Sequence, residues 1–290
     1  MAETVSTLDW IEGTQSDVMM TGASLRALAA STTGTPESEW RPDKAFNRYA
    51  LCMRHGSSMR ALSGKPDMGT HFIVSGQAIT ALGKSGHDQN DIVTRLNAHN
   101  VRMSRIDLAV DCFNTGLSLR GLFNDLRHRR ADTASRTHYM ISSDNGGLTL
   151  YIGAPQSDKH LRAYNKAAEV KHKASIPDGT DDWIRVELVA MREQARFAND
   201  WIQRVGIDET SRTAIRGFVD FPTSGKWISA IGGTADKIGA SSRKTTDTGG
   251  WLLDVVARVV AKQAIADAEF LMQFQQRVSD EMASLGDVLE

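Results

Sequence analysis

Three short segments of this chain alternate apolar and charged residues with a period of two: RIDLAVD (105–111), LRAYNK (161–166) and WIRVEL (183–188). Only a β-strand sends successive side chains to opposite faces. Each segment therefore predicts a strand with one face for a core and one polar face. In the first, Ile106, Leu108 and Val110 form the apolar set, and Arg105, Asp107 and Asp111 the charged one. If the three strands are neighbours, Arg162, Tyr164 and Lys166, with Arg185 and Glu187, join them on one exposed face.

The remaining elements surround these strands. Thr7 to Ile11, Arg48 to Arg54 and His71 to Ser75 read as strands, with a helix over Thr21 to Ala30 that Thr21 can cap. Gly76-Gln77 leads into the weak helix AITALG. Asp88 caps DQNDIVTRLNAH, where Ile92, Val93 and Leu96 fall at helical spacing. A strand is expected over Arg102 to Phe113 and a helix over Ser118 to Arg130. Thr137 to Ser142 and Leu148 to Gly153 flank Asp144-Asn145-Gly146-Gly147, a hairpin signal. The strand Leu161 to Tyr164 turns into a helix over Asn165 to Ala174, and WIRVELVA leads into a helix over Met191 to Val205. A short strand, Gly217 to Phe221, ends at Pro222. This order predicts an α+β fold: a central, mainly antiparallel sheet with helices packed on one face, plus a long C-terminal helix. The domain expectation is a body over 1–231, a Gly/Ser/Thr-rich connector over 232–250 and a helix over 251–290 for packing or self-association.

Charge is uneven. Val101 to Lys173 holds 12 Lys/Arg against 7 Asp/Glu, whereas Met1 to Asp43 holds 2 against 7 and Asp247 to Glu290 holds 3 against 8. A basic middle between acidic ends suits a local phosphate-binding surface, and equally a set of solvated faces. The two cysteines, Cys52 and Cys112, are too few for a disulfide framework and read as half-buried free thiols in a reducing compartment. No run approaches the ~20 apolar residues of a membrane span, and MAETVSTLDW lacks the features of a signal peptide, so the expected location is the cytoplasm, without membrane contact.

The charged faces of the three strands combine carboxylates, a tyrosine and cations. Hard carboxylate oxygens suit Mg²⁺ or Mn²⁺, which can polarise a phosphate. A tyrosine hydroxyl needs nearby cations to favour the phenolate before it can attack. Arg162 and Lys166, two residues either side of Tyr164, could lower its pKa and grip a phosphate. Cross-strand ion pairing and a half-buried sheet aromatic would produce the same pattern. Residue pattern alone thus stops at a metal-dependent phosphoryl-transfer site or a structural charge network.

In these segments the chain resembles the replication initiation factor family, the trans-acting rolling-circle initiators of plasmids, integrative elements and filamentous phages. LDWIEGT is similar to the family's opening strand, MGTHFIVSGQAITAL (68–82) to its glycine-bounded strand followed by Ser-Gly-Gln, and RIDLAVDCF to its Arg/Asp-bearing strand. LTLYIGAPQSDKHLRAYNKAAE (148–169) resembles its tyrosine block and WIRVEL its Arg-x-Glu strand. Asn165 stands where the family carries an acid, and no His-hydrophobic-His pair is present.

The resemblance implies an origin-specific, single-strand DNA nicking and closing enzyme that forms a 5′-phosphotyrosine ester. It makes Tyr164 the nucleophile, with Arg162 and Lys166 on the phosphate. Asp107 and Glu187 become the metal ligands, with Asp111 and His71 behind them, for Mg²⁺ or Mn²⁺. DNA contacts fall to Arg105, Arg127, Arg129, Arg130, Lys159 and Arg185. Origin DNA as a hairpin or single strand, a host helicase and a second copy of the chain are the implied partners. The alternatives are a non-catalytic DNA-binding replication or regulatory protein of this fold and a metal nuclease that uses water.

Overall fold

Two thirteen-residue strands, β1 (Glu3–Gln15) and β6 (Val101–Phe113), pair antiparallel along nearly their whole length and form the middle of the sheet. The computed structural model describes residues 2–16, 20–64, 68–144, 146–170, 176–234 and 276–277. Between the central strands in sequence come α1 (Gly22–Thr33), β2 (Arg41–Pro42), β3 (Leu51–His55), β4 (Met59–Ser63), β5 (Thr70–Ser75), α2 (Gly76–Lys84) and α3 (Gln89–Ala98). After β6 follow α4 (Leu119–Arg127), β7 (Asp132–Thr133), β8 (His138–Ser142), β9 (Leu148–Ile152), β10 (Lys159–Asn165), α5 (Lys166–Val170) and β11 (Trp183–Met191). The last elements are α6 (Glu193–Phe218), β12 (Val219–Asp220) and α7 (Gly225–Ile231).

Ten strands form one sheet in the order β2-β3-β4-β5-β1-β6-β11-β10-β9-β8, every pairing antiparallel. The α+β expectation is therefore met, and the three alternating segments lie side by side as β6, β11 and β10. Their even and odd positions part as the alternation requires. Ile106, Leu108 and Val110, with Ile184, Val186 and Leu188, and Leu161 and Ala163, are buried in the main core. The helices close that side: α6 lies against β1, β6 and β11, α1 against β3 and β4, and α4 against β8 and β9.

Local chemistry sets the helix ends. The Thr21 hydroxyl accepts from Ser24 N, Asp88 from Asn90 N and Ser118 from Gly121 N, each satisfying a first-turn donor. Several elements differ from expectation. Strand β4 and helix α7 have too few periodic residues to be read from sequence, and β12 is two residues because 217–218 still belong to α6. The helix expected to end at Val205 breaks at Gly206 (φ 81°, ψ 174°) and resumes as a second segment of α6. The expected connector 232–250 beyond Thr234, the helix 251–290 apart from helical Gln276 and Arg277, and the expected helix beyond Val170 lie outside the described residues. Cys52 and Cys112 are both free and more deeply buried than expected, and burial pushes the Cys112 thiol up to about 12, which makes it inert as a nucleophile. No described helix is long and apolar enough to cross a membrane.

Gly206 occupies a backbone region essentially closed to residues with a Cβ. Gly206→Ala is expected to lower stability by about 1–3 kcal/mol, read as a fall in the urea midpoint at unchanged slope.

Candidate active site

The face of the sheet turned away from the helices carries the charged alternate positions, and pairing register places them in rows. One row runs Tyr151, Arg162, Glu187, Ala109 across β9, β10, β11 and β6; the next runs Thr149, Tyr164, Arg185, Asp111. A β-bulge in β1 adds one more group. Leu8 pairs with Leu108 and Trp10 with Asp107, so Asp9 is the extra residue, and its carboxylate reaches the same face. The signal for it was present in LDWIEG: the buried Leu8 and Ile11 are three apart, a spacing that period two cannot deliver. Beside the bulge, a Cβ on Gly76 would stand 2.6 Å from Asp9 Oδ1 and 2.8 Å from its backbone oxygen, so the Ser-Gly-Gln turn needs glycine there to let Asp9 in.

The carboxylates are not exposed as expected; they lie beneath a cover of arginines. Asp107 is 1% exposed and Glu187 0%. Arg105 Nε and Nη2 donate to the two oxygens of Asp107 at 2.8 and 2.6 Å. Arg185 does the same to Asp111 at 2.8 and 2.6 Å, and also donates to Asp9. Arg162 holds Glu187 Oε1 through Nε at 2.8 Å and Nη2 at 2.6 Å, with Asp9 Oδ2 3.7 Å away. Asp9, Asp107, Asp111 and Glu187 thus share three guanidiniums, with Glu12 beside Arg105, and Glu187 is strongly perturbed among them. Burial first, then the charges of Asp9 and Asp107, push its carboxyl up to about 7 against the pull of Arg162. Burial also raises Asp107.

Tyr164 is half-buried beside this cluster. Lys166 Nζ is 3.5 Å from its hydroxyl and 5.5 Å from the ring centroid, and the Arg162 guanidinium is 5.5 Å from that centroid. The cations do not lower the phenol as expected. Burial, followed by the Glu187 charge, holds it well above its ordinary value, since Arg162 is committed to Glu187 and Lys166 to Glu169 at 2.7 Å. A cavity of about 310 Å³ opens here, lined by Asp9, Tyr151, Arg162, Tyr164 and Lys166 among others. Asn165 Oδ1 accepts from Ala168 N at the start of α5, a capping task that asparagine performs as well as an acid.

The other candidates lie outside the cavity lining. His71, on β5, hydrogen-bonds Thr14 at 2.9 Å and stacks on Tyr49, beside a small cluster of Cys52, Leu62, Ile73 and Trp10. Trp183 Nε1 and Arg185 hold Asp111 at the far end of the charged face. Arg127 ends α4, and Arg129 and Arg130 follow it, on the helical side of the sheet, where Arg130 pairs with Asp125. Lys159 starts β10 on the parity opposite Tyr164.

For a hard divalent cation, the donor set fits. Asp9, Asp107 and Glu187 offer oxygens only, and Glu187 Oε2 is buried without a hydrogen-bond partner. As they stand, no three metal-binding side chains among the described residues converge closely enough to hold an ion. The guanidiniums occupy that role.

Residues 101–278 match the model of the replication initiation factor family, and the chain belongs to that family. Over 105 residues, 33% of this chain, it is 31% identical to "Putative DNA relaxase NicK" of Bacillus subtilis (strain 168). The match spans 30% of that relative's length. The rolling circle replication initiator protein from Geobacillus stearothermophilus shares the fold, with a TM-score of 0.64 over 81% of this chain and 100% of that one, at 22% identity.

Glu187 gives the site a pH signature. Its ordinary carboxyl ionises near 4.5 and the folded one at about 7, so between these values the native state binds more protons than the unfolded chain. Stability therefore falls as pH rises from about 4.5 to 7. Glu187→Gln is expected to remove this component, so its stability relative to wild type should be higher at pH 8 than at pH 5, measured by denaturant titration at both.

Proposed function

We propose that this protein initiates rolling-circle replication by nicking one DNA strand with Tyr164. The observation that carries the reading is the cavity in which Tyr164, Arg162 and Lys166 meet the carboxylate of Asp9, with Glu187 and Asp107 behind. A DNA phosphate entering there meets the guanidinium and the ammonium. The Tyr164 oxygen attacks phosphorus, the bond to the 3′-oxygen breaks, and the phenolic proton ends on that leaving oxygen. The product is a 5′-phosphotyrosine ester and a 3′-hydroxyl that can prime synthesis. The ester keeps the bond energy for a later closing transfer.

Asp9, Asp107 and Glu187 are the residues that would hold Mg²⁺ or Mn²⁺, with Arg105 and Arg162 swinging from their carboxylates toward phosphate. Such an ion would supply positive charge beside the phosphate and offset the Glu187 charge that adds to burial in raising the phenol. His71 and Asp111 take no part in this arrangement; Asp111 instead anchors Arg185. Origin DNA, single-stranded or extruded as a hairpin, is the substrate, and a host helicase and a second copy of the chain are the partners that accompany the reading.

The test is a covalent trap with Mn²⁺ and labelled single-stranded origin DNA on a denaturing gel. Wild type should give a protein–DNA adduct that Tyr164→Phe loses entirely. Asp107→Asn and Glu187→Gln should lower nicking at least a hundredfold while DNA affinity changes little. Cutting without an adduct would instead identify a nuclease that uses water, and binding without cutting a non-catalytic regulator.

A further inference from the structure

The nicking reading uses Tyr164 but leaves two other tyrosines of the same face without a role. Tyr139 on β8 and Tyr151 on β9 are direct cross-strand partners, their rings stacked at 4.8 Å between centroids and 15° between planes. Tyr151 pairs in turn with Arg162, so the row runs Tyr139, Tyr151, Arg162, Glu187 straight into the site. Tyr151 also lines the cavity that holds Tyr164. At the other end, β8 is the last strand of the sheet, so the outer face of the Tyr139 ring has no neighbouring strand. Two residues further along the same face, Ile141 is 51% exposed, among the largest exposures of an apolar side chain in the described residues.

We infer that Tyr139, stacked on Tyr151 and flanked by Ile141, is a platform on which a nucleobase of the substrate strand stacks next to the phosphate that Tyr164 attacks. The inference rests on the nicking reading. A cross-strand aromatic pair by itself stabilises a hairpin. Three features point beyond that: the open end of the stack, the exposed apolar neighbour, and continuity with a phosphate site bearing Arg162 and Lys166. Two strand spacings separate β8 from β10, so the Tyr139 ring lies roughly 10 Å across the sheet from the Tyr164 strand. A single strand that follows a basic groove over several nucleotides spans that distance. Such a platform favours a strand with bases over a bare sugar-phosphate chain and tolerates any base, because every base offers a π-face.

The test is a fluorescence anisotropy titration of the full chain with a thymidylate oligomer and with an abasic deoxyribose-phosphate oligomer of equal length. Wild type should bind thymidylate more tightly. Tyr139→Leu, which keeps a bulky apolar residue in the hairpin, should lose about fivefold or more of the thymidylate affinity, with the abasic strand unaffected. Tyr139→Trp should restore the preference. If Tyr139→Leu keeps the full preference, or wild type shows none while binding both strands, the platform is refuted and the phosphate site stands. If wild type binds neither strand, the DNA reading fails and the platform with it.

Discussion

A buried lattice of guanidinium and carboxylate groups governs the open face of this sheet. Arg105, Arg162 and Arg185 reach across strands to Asp107, Glu187, Asp111 and Asp9, and each carboxylate is held in place by at least one of them. Buried ion pairs add little net stability over apolar residues of similar size, yet losing one partner is strongly destabilising because it strands a charge. Stability therefore does not account for the lattice. What it does supply is fixed geometry: two-point arginine contacts hold the carboxylates in register on the central strands.

Topology determines where this lattice sits. The acids sit on β1, β6 and β11, the central strands, each flanked on both sides and backed by α6. The tyrosine and its two cations sit one strand further out, at the end of β10 where the chain turns into α5. The Tyr164 hydroxyl is thus on the side where the sheet thins toward its edge and a cavity opens, while the buried carboxylates are at the centre. Burial, joined by the charges of neighbouring carboxylates, holds the phenol above its ordinary value and pushes the Glu187 carboxyl up to about 7.

Much of this was legible from the amino acids, and the parts that were not share a cause. Period-two alternation in RIDLAVD, LRAYNK and WIRVEL located the three neighbouring strands and their faces, and the caps Thr21 and Asp88 located two helix starts. Their exposure was misjudged, since alternation reports which side a residue faces and says nothing about a neighbouring arginine folding over it. Asp9 escaped notice because a bulge breaks the very periodicity used to read strands. The helix expected to end at Val205 does break at Gly206, but the chain resumes helical geometry at once, which no local signal announces. The Tyr139–Tyr151 pair depends on register across the hairpin, and the sequence names both rings without saying that they touch.

The bulged strand has a further implication for how this molecule can be divided. The family match begins at residue 101, at the first residue of β6, whereas β1 and its Asp9 come from the opening fifteen residues. Excising the matched segment would strip β6 of its longest partner and leave Arg185 without one of its two anions. The portion of the chain by which this family is detected is therefore not a self-sufficient module, and minimal fragments should be drawn to include the N-terminal strand.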